Sequence, residues 1–306
     1  MALAEKYRGV LRNIPFAGGE LVRPLTEVDS AEPIREALER PDTKVMLLAP
    51  QGIAAQNHSL LYMPVEQAQE AAPKSLVHLG AMDGVNYVLL LADAGAALPD
   101  TEWISLREAF GRLEARDLGL FVVAQAIGNW RLGTTFCPQC GSSLEPTSLG
   151  WSQRCADGQH ELFPRTDPAV IASIIDAEDR LLLGANVRFK KKIYSVLAGF
   201  VEAGESLEAA VRREIFEESG VRVGECAYRG SQPWPLPRSL MLGFSGEALS
   251  TELIPDGQEI LDLRWFTREE LHDAITQGVL DVPRGPSIAG ALIEDWYGHE
   301  LPKAVA

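Results

Sequence analysis

The chain has 306 residues and a formal net charge of −15, from 43 Asp and Glu residues against 28 Lys and Arg residues. This acidic balance argues against a dedicated nucleic-acid binder, which would need a basic face, although it leaves room for a local basic pocket that holds one small anion. The hydrophobic share of 46% and the charged share of 23% are ordinary for a globular protein. A chain of this length predicts about two domains.

The sequence predicts neither a membrane segment nor a leader. The longest apolar run, Tyr87–Ala92, has the size of a strand, whereas a spanning helix needs ~20 apolar residues. The opening residues MALAEKYRGV lack the charged-then-apolar order of a signal peptide. We therefore expect no membrane partner and a cytoplasmic location, where the four cysteines would stay reduced or bind metal.

Residues 1–133 are predicted to form a small α/β domain without a catalytic signature. Apolar runs bounded by Gly, Pro and Asp favour strands, and runs of helix formers favour helices. His58 and His78 stand alone in the sequence and are interpreted as structural or surface residues. The predicted strands are Lys44–Ala49, Leu60–Pro64 and Tyr87–Leu91, and the predicted helices are Glu32–Arg40, Ser105–Leu113 and Leu118–Leu132.

Residues 134–165 carry a metal-ligand pattern. Cys137 and Cys140 form a C-x2-C knuckle followed by a glycine that permits a tight turn, and Cys155 and His160 come later in the chain. Zinc binds sulfur and nitrogen donors tetrahedrally from such pairs of knuckles, so the pattern predicts a Cys3His zinc ribbon. One zinc ion per chain would then be structural, since protein fills all four positions. The alternative is a redox-active or merely reduced pair of cysteines.

Residues 166–306 alternate strand-sized apolar runs with helical patterns. Mixed strands with helices on both faces favour an α/β/α sandwich with a mixed sheet. The basic group Arg188, Lys190, Lys191 and Lys192 is interpreted as a solvated loop, with a diphosphate-facing edge as the alternative. The predicted strands are Ala169–Asp176, Leu181–Val187, Ser195–Val201, Met241–Ala248 and Leu261–Phe266; helices are predicted from the capping box at Thr267 and over Ser287–Trp296.

The stretch Gly199–Val221 gathers carboxylates on one predicted helix. Ser206 fits its N-cap and Gly220 its C-terminal end. Glu214 and Glu218 are four residues apart, with Glu217 beside Glu214 on the same face. Carboxylates this close repel one another unless a cation lies between them, and hard divalent cations such as Mg²⁺ prefer oxygen ligands of this kind. The alternative is a solvated acidic helix.

This stretch resembles the Nudix box, G-x5-E-x7-R-E-U-x-E-E-x-G-U with U apolar, and it matches every specified position from Gly199 to Val221. The resemblance implies a metal-dependent hydrolase that cleaves a diphosphate linked to a second group. It also implies that Glu214, Glu217 and Glu218 are catalytic and hold more than one Mg²⁺ or Mn²⁺ ion.

The segment Ser231–Ser239 reads SQPWPLPRS, and its three prolines make it stiff and extended. It resembles the SQPWPFPxS signature of the NADH pyrophosphatases, the NudC-type family of Nudix hydrolases, and departs from it at Leu236. The resemblance implies hydrolysis of NADH or NAD⁺ to AMP and nicotinamide mononucleotide, and removal of NAD caps from RNA 5′ ends in some members. It further implies a homodimer in which the partner chain completes each site.

The family's site residues transfer to this sequence one by one. Glu259 takes the place of a further catalytic, metal-binding glutamate, and the backbone at Ala198 that of a metal contact. Gly150 stands where some members have a substrate-contacting Glu, and Phe163 where many have Tyr. The implied substrate-binding residues are Arg107, Phe163, Phe200, Gln232, Pro233, Trp234, Pro235, Leu236, Pro237, Arg238, Ser239 and Ala289.

The implied reaction is attack of water on one phosphorus, in which positioning and charge neutralisation carry most of the catalysis. Glu218 is the first choice for the carboxylate that accepts the water's proton, and Glu259 is the second. Arg213 is expected to orient a box glutamate, and Glu205 to tie the loop to the helix. Two alternatives stay open: a Nudix hydrolase for another nucleoside diphosphate derivative, such as ADP-ribose or a dinucleoside polyphosphate, and an inert binding protein.

Overall fold

The computed structural model describes residues 5–11, 14, 21–23, 32–66, 75–93, 101–187 and 193–303. The chain divides into two compact units. The N-terminal unit comprises Gly18–Thr166 and Pro235–Arg238, and the C-terminal unit comprises Met1–Ala17, Asp167–Trp234 and Ser239–Ala306. The division at 1–133, 134–165 and 166–306 stays a prediction, and the basic group Arg188, Lys190, Lys191 and Lys192 lies outside the described residues.

The N-terminal unit contains a mixed sheet in the strand order β3-β2-β1-β6-β5, with β4 paired to β1 and β7 to β2. β1 and β6 run parallel, and the other pairs are antiparallel. The elements are α1 (Glu32–Glu39), β1 (Lys44–Ala49), β2 (Gly52–Gln56), β3 (Ser59–Leu60), β4 (Tyr62–Met63), β5 (Leu76–Met82), β6 (Val85–Leu91), β7 (Glu102–Ile104), α2 (Leu106–Ala109) and α3 (Ala115–Gly133).

This unit departs from the sequence prediction in two ways. Strands β2, β5 and β7 were not predicted, and the predicted helix Ser105–Leu113 is wrong beyond Ala109, because Phe110 is extended and Gly111 has a φ of +79°. The predicted helix Leu118–Leu132 is confirmed within α3. Gly128 lets α3 approach β1 closely, since a Cβ there would lie 2.2 Å from Cδ2 of Leu48.

A small antiparallel sheet completes the N-terminal unit, in the order β10-β9-β8. Its strands are β8 (Leu144–Thr147), β9 (Ser152–Cys155) and β10 (Glu161–Leu162). The turn between β8 and β9 packs on β5: Nε1 of Trp151 donates to the carbonyl of His78 at 2.9 Å, and a Cβ on Gly150 would lie 2.9 Å from Cγ2 of Val77. Position 150 therefore has no room for a larger side chain.

The C-terminal unit contains a second mixed sheet, in the order β13-β12-β11-β16-β15, with β14 paired to β11 and β17 to β12. β11 and β16 run parallel from Asp167↔Ser239 to Ile175↔Glu247. The elements are β11 (Asp167–Ile175), β12 (Leu181–Asn186), β13 (Tyr194–Ser195), β14 (Leu197–Phe200), α4 (Leu207–Ser219), β15 (Val223–Trp234), β16 (Ser239–Ala248), β17 (Ile260–Phe266), α5 (Arg268–Thr276) and α6 (Ile288–Tyr297).

Helices cover both faces of this sheet. Successive residues of a strand point to opposite faces, and β11 shows the division: Val170, Ala172 and Ile174 belong to one core, and Ile171 and Ile175 to the other. The first core is shared with α4, and the second with α5 and α6. The predicted α/β/α sandwich is confirmed. Within the described residues, no helix is both long enough and apolar enough to cross a membrane.

The sheets of the two units share one plan. When the seven strands of each sheet are numbered along the chain, five of them follow the order 3-2-1-6-5 in both sheets. The fourth strand pairs with the first, and the seventh pairs with the second. The sequence prediction recognised an α/β fold before residue 133 but not this repetition.

Residues 5–11, near the start of the chain, pack within the C-terminal unit. Tyr7 is 2% exposed in the core beside α5 and α6. Its hydroxyl donates to Asp179 at 2.5 Å and accepts from Arg268 at 2.9 Å. The buried guanidinium of Arg229 donates to the carbonyls of Tyr7 and Gly9. The C-terminal unit thus takes part of its core from a segment more than 150 residues earlier in the sequence.

We expect Tyr7→Ala to lower the free energy of unfolding of the C-terminal unit by about 3–5 kcal/mol, because it removes a buried aromatic ring. Tyr7→Phe keeps the ring and loses hydrogen bonds to charged groups, and should cost about 1–3 kcal/mol. Lys6→Ala, which breaks an exposed ion pair with Asp179, should cost under about 1 kcal/mol. Calorimetric unfolding of the full chain measures all three, and equal effects of Tyr7→Ala and Lys6→Ala would contradict the packing role.

Candidate active site

The helix α4 has the ends that its sequence predicts. The Ser206 hydroxyl accepts the N–H of Ala209 at 3.3 Å, and Gly220, with a φ of +73°, donates its N–H to the carbonyl of Phe216 at 2.8 Å. Apolar residues of the helix bury it against the sheet. The last two turns of a fixed helix therefore present its acids: Glu214, Glu217 and Glu218.

Gly199 on β14 makes room for one of these acids. A Cβ at this position would lie 1.9 Å from Cδ of Glu214 and 2.2 Å from both carboxylate oxygens. The carboxylate of Glu214 thus rests directly on the backbone of β14, next to Ala198. Any side chain at position 199 would displace it.

Arg213 binds the acids around it. Its Nε and Nη2 donate to the two oxygens of Glu205 at 2.9 and 2.8 Å, and its Nη1 lies 2.9 Å from Glu214 and 3.0 Å from Glu217. Glu205 in turn accepts the N–H of Glu202 at 3.1 Å. These contacts match the orienting and loop-tying interactions expected for Arg213 and Glu205.

Two cavities meet at the end of α4. The larger, about 610 Å³, is lined by acids together with Ala198, Phe200, Ser239 and other residues. The smaller, about 220 Å³, has mostly apolar walls that include Trp234, Ile288 and Ala289. Both are lined by Ala198, Glu218 and Met241. The acids of the larger cavity are Glu202, Glu214, Glu217, Glu218, Asp256 and Glu259.

Glu218 lies between the cavities and is 6% exposed. Its Oε2 is buried and has no hydrogen-bond partner among the described residues. Burial, with added repulsion from Glu214, Glu259 and Asp256, raises the pKa of Glu218 to about 8. Burial also raises the pKa of Glu214, and the Arg213 guanidinium opposes that rise.

This environment fits a divalent cation. A buried carboxylate without a positive partner is costly, and several carboxylate oxygens around one cavity are the donors that Mg²⁺ and Mn²⁺ prefer. Glu214, Glu217, Glu218 and Glu259 line the cavity, and they are the four acids that the sequence singles out. Sequence reasoning missed Asp256, although an Asp-Gly pair three residues before Glu259 is a recognisable turn signal.

The proline-rich segment is divided between a strand and a turn. Ser231–Trp234 ends β15, and 235–238 forms the turn before β16, so the predicted extended conformation is confirmed for the first half of the segment and wrong for its second half. Gln232 is fully buried; its amide donates to the carbonyl of Pro286 at 3.2 Å and accepts the N–H of Ile288 at 2.8 Å. Gln232 therefore fixes the start of α6, which lines the smaller cavity.

The other implied substrate residues fall into three groups. Phe200 and Ser239 line the larger cavity, and Trp234 and Ala289 the smaller. Arg107 and Phe163 are exposed residues of the N-terminal unit. The remaining residues line neither of these two cavities: Pro233, Pro235, Leu236, Pro237 and Arg238.

The Cys and His ligands predicted for zinc converge in the N-terminal unit. The ligand atoms of Cys137, Cys140, Cys155 and His160 all lie within 4.8 Å of one another. Nδ1 of His160 is 3.7 Å from Sγ of Cys137 and 3.6 Å from Sγ of Cys155. A tetrahedral zinc ion places such N and S donors roughly 3.6 Å apart. The cluster therefore fits a Cys3His metal site, and Gly141, with a φ of +74°, makes the tight turn after Cys140.

Comparison with known families gives two matches. The NUDIX domain matches residues 165–282, and the NADH pyrophosphatase-like rudimentary NUDIX domain matches residues 35–130. The second match agrees with the strand order that the two sheets share. The small α/β domain predicted before residue 133 is thus a second, rudimentary Nudix domain.

Curated relatives extend these matches. The NAD-capped RNA hydrolase NudC of Mycobacterium bovis is 37% identical over 262 residues, which are 81% of this chain and 83% of the relative. The NAD-capped RNA hydrolase NUDT12 of Homo sapiens is 40% identical over 197 residues, 60% of this chain and only 43% of that relative. Among solved structures, the NUDIX hydrolase from Nitrosomonas europaea has a TM-score of 0.40 at 22% identity, covering 55% of this chain and 95% of that one.

The raised pKa of Glu218 predicts that the free energy of unfolding falls as the pH rises, when no Mg²⁺ or Mn²⁺ is added. The pKa of Glu218 is about 8 in the folded state and about 4.3 in the unfolded state. Between these two pH values the folded state keeps a proton that the unfolded state has released. The free energy of unfolding should decline over this range, by at most ~1.4 kcal/mol per pH unit.

Urea unfolding of the wild type and of Glu218→Gln measures this contribution. The variant lacks the titrating group, so its stability advantage should grow from about pH 5 to pH 8 and then level off. A difference in the free energy of unfolding between the two proteins that stays constant over that range would contradict a raised pKa for Glu218.

Proposed function

The chain belongs to the Nudix hydrolase superfamily, within the NADH pyrophosphatase (NudC-type) family, and on this premise we propose that it hydrolyses the pyrophosphate bond of NADH or NAD⁺. The products are AMP and nicotinamide mononucleotide. The chain matches less than half of the length of the human relative.

The meeting of the two cavities at Glu218 is the observation that carries the proposal. The larger cavity offers carboxylates for cations that would bind a diphosphate. The smaller one offers apolar walls, among them Trp234 and Met241, that suit an aromatic ring. A dinucleotide presents a pyrophosphate close to such rings. Phe200, at 57% exposure on the rim of the larger cavity, is the proposed stacking surface for a base.

We assign the cation ligands to Glu214, Glu217, Glu218, Glu259 and the main chain at Ala198. Bound Mg²⁺ or Mn²⁺ would neutralise the phosphates and lower the pKa of a coordinated water. Within the chain, Oε2 of Glu218 is the first candidate to accept the proton of the attacking water, because it is buried in the cavity wall and has no hydrogen-bond partner among the described residues. Glu259 is the second candidate.

Other residues support this centre without contacting the reacting atoms. Arg213 holds Glu205 through two parallel hydrogen bonds and lies between Glu214 and Glu217, which sets the positions of both acids. Gln232 fixes the start of α6 and with it the wall of the smaller cavity. Arg107, Phe163, Pro233 and 235–238 remain proposed substrate contacts, and we propose a homodimer in which the partner chain completes each site.

The NAD-capped 5′ end of RNA is the second candidate substrate. NudC of Mycobacterium bovis and NUDT12 of Homo sapiens are both named NAD-capped RNA hydrolases, and a cap contains the same pyrophosphate bond. The net charge of −15 disfavours extensive contacts with the RNA that follows the cap. ADP-ribose and dinucleoside polyphosphates are further alternatives, and an inert binding protein is the alternative outside catalysis.

We also propose that Cys137, Cys140, Cys155 and His160 hold one structural Zn²⁺ per chain. The convergence of their ligand atoms supports this assignment. A cytoplasmic location is consistent with it, because thiolate ligands must stay reduced.

Incubation of purified protein with NADH and Mg²⁺ or Mn²⁺, with products resolved by chromatography, tests the proposed activity. The wild type should release AMP and reduced nicotinamide mononucleotide, and Glu218→Gln should reduce kcat by about 10²-fold or more, as for loss of a general base. NAD⁺, an NAD-capped RNA and ADP-ribose serve as parallel substrates. Cleavage of ADP-ribose with NADH left intact would overturn the substrate assignment, and cleavage of none would favour the binding protein.

Substitutions at His160 test the zinc assignment. His160→Ala should reduce the zinc content below one ion per chain and destabilise the N-terminal unit, because it removes one of four ligands. His160→Cys should retain the metal, since four thiolates also form a closed tetrahedral site. Zinc released by denaturation is measured with a chromogenic chelator. Full zinc retention by His160→Ala would show that His160 is not a ligand.

A further inference from the structure

Glu259 differs from the other proposed cation ligands in what fixes its position. Glu214, Glu217 and Glu218 are held by α4, whose ends are capped. Glu259 precedes β17 at the end of a segment, 251–259, without helix or strand, yet it lines the same cavity. An irregular loop has no periodic hydrogen bonds to hold a side chain against its neighbours' negative charge. Other contacts must therefore hold Glu259 in place.

Asp256 supplies those contacts. Its Oδ1 accepts the backbone N–H groups of Gln258 at 3.2 Å, Glu259 at 3.2 Å and Ile260 at 2.8 Å, and its Oδ2 accepts that of Glu259 at 3.1 Å. These hydrogen bonds lower the pKa of Asp256, so the carboxylate is charged at neutral pH. One side chain thus fixes the backbone on both sides of Glu259.

The loop is also anchored at both ends to elements around the cavity. The N–H of Ile254 donates to the carbonyl of Ser219 at 2.8 Å, one residue beyond Glu218, and the N–H of Val187 donates to the carbonyl of Glu259 at 2.9 Å. Gly257, with a φ of +69°, turns the chain between them. These two hydrogen bonds hold the loop beside α4, and the hydrogen bonds to Asp256 fix the conformation of the loop between them.

We propose that Asp256 is a positioning residue that holds Glu259 in the wall of the larger cavity and thereby sets the affinity of the cavity for divalent cations. This inference rests on the proposed function above. Direct ligation by Asp256 is disfavoured, because both of its oxygens already accept backbone N–H groups and Oδ1 accepts three of them. Asp256 and Glu218 both line the larger cavity, and the hydrogen bonds of Asp256 are made to the loop.

Mn²⁺ binding in the absence of substrate, followed by electron paramagnetic resonance, tests the inference. Asp256→Ala should weaken Mn²⁺ binding by about 10–100-fold, the usual cost of losing a residue that orients a metal ligand. Asp256→Asn should bind within a few-fold of the wild type, because the amide oxygen can keep the three hydrogen bonds of Oδ1. Glu252→Ala, an exposed acid of the same loop, is the matched control and should not change binding.

The double variant Asp256→Ala with Glu259→Gln separates positioning from an independent role. If Asp256 acts through Glu259, the double variant should bind Mn²⁺ no more weakly than Glu259→Gln alone, because coupled residues are not additive. With NADH as substrate, Asp256→Ala should lower kcat while KM for NADH stays near the wild-type value. Additive losses, or a loss in Asp256→Asn as large as in Asp256→Ala, would overturn the inference.

The outcomes also separate this inference from the proposed function. If Asp256→Ala does not fold by circular dichroism, the comparison of Asp256→Asn with the wild type still decides between positioning and ligation. A wild type that binds Mn²⁺ and cleaves NADH, with Asp256→Ala unchanged in both, would overturn the inference alone. A wild type that binds no Mn²⁺ would overturn the cation site and the inference together.

Discussion

Glu218 holds its carboxylate away from water, among Glu214, Glu259 and Asp256. Removing an ionised carboxylate from water is costly unless a positive group compensates it. Arg213 compensates Glu205, Glu214 and Glu217. In the proposed function a divalent cation balances the charge of Glu218, and the same burial that raises the pKa of Glu218 strengthens its attraction to that cation.

The surrounding fold keeps this arrangement from relaxing. Apolar residues of α4 are buried against the sheet, so the helix cannot rotate to bring Glu214 and Glu218 into solvent. Gly199 lets Glu214 lie on the backbone of β14, and the hydrogen bond from Ile254 to Ser219 joins the end of α4 to the loop that carries Glu259. Packing energy therefore offsets the electrostatic repulsion, and the acids remain close together before any ligand arrives.

The sequence predicts the parts of this site that depend on local chemistry. Ser206 and Gly220 mark the ends of α4 because capping is decided within one turn of a helix. The contacts of Tyr7 with Asp179 and Arg268 escape prediction, because they join residues more than 170 positions apart. Gln232 shows a subtler limit: its motif implies a ligand contact, and only the structure shows that its amide, in the wall of the smaller cavity, also binds the start of α6.

The rudimentary Nudix domain shows what the strand plan requires. Its sheet has the same strand order as the catalytic one, but between β4 and β5, the interval that corresponds to α4, the sequence PVEQAQEAAPKS contains two glutamates and no arginine. A sheet of this order thus forms without the acidic box. Since fold alone does not imply function, the fold accommodates the acids of α4 but does not require them. Their mutual repulsion is therefore a cost in stability that serves the site and not the fold.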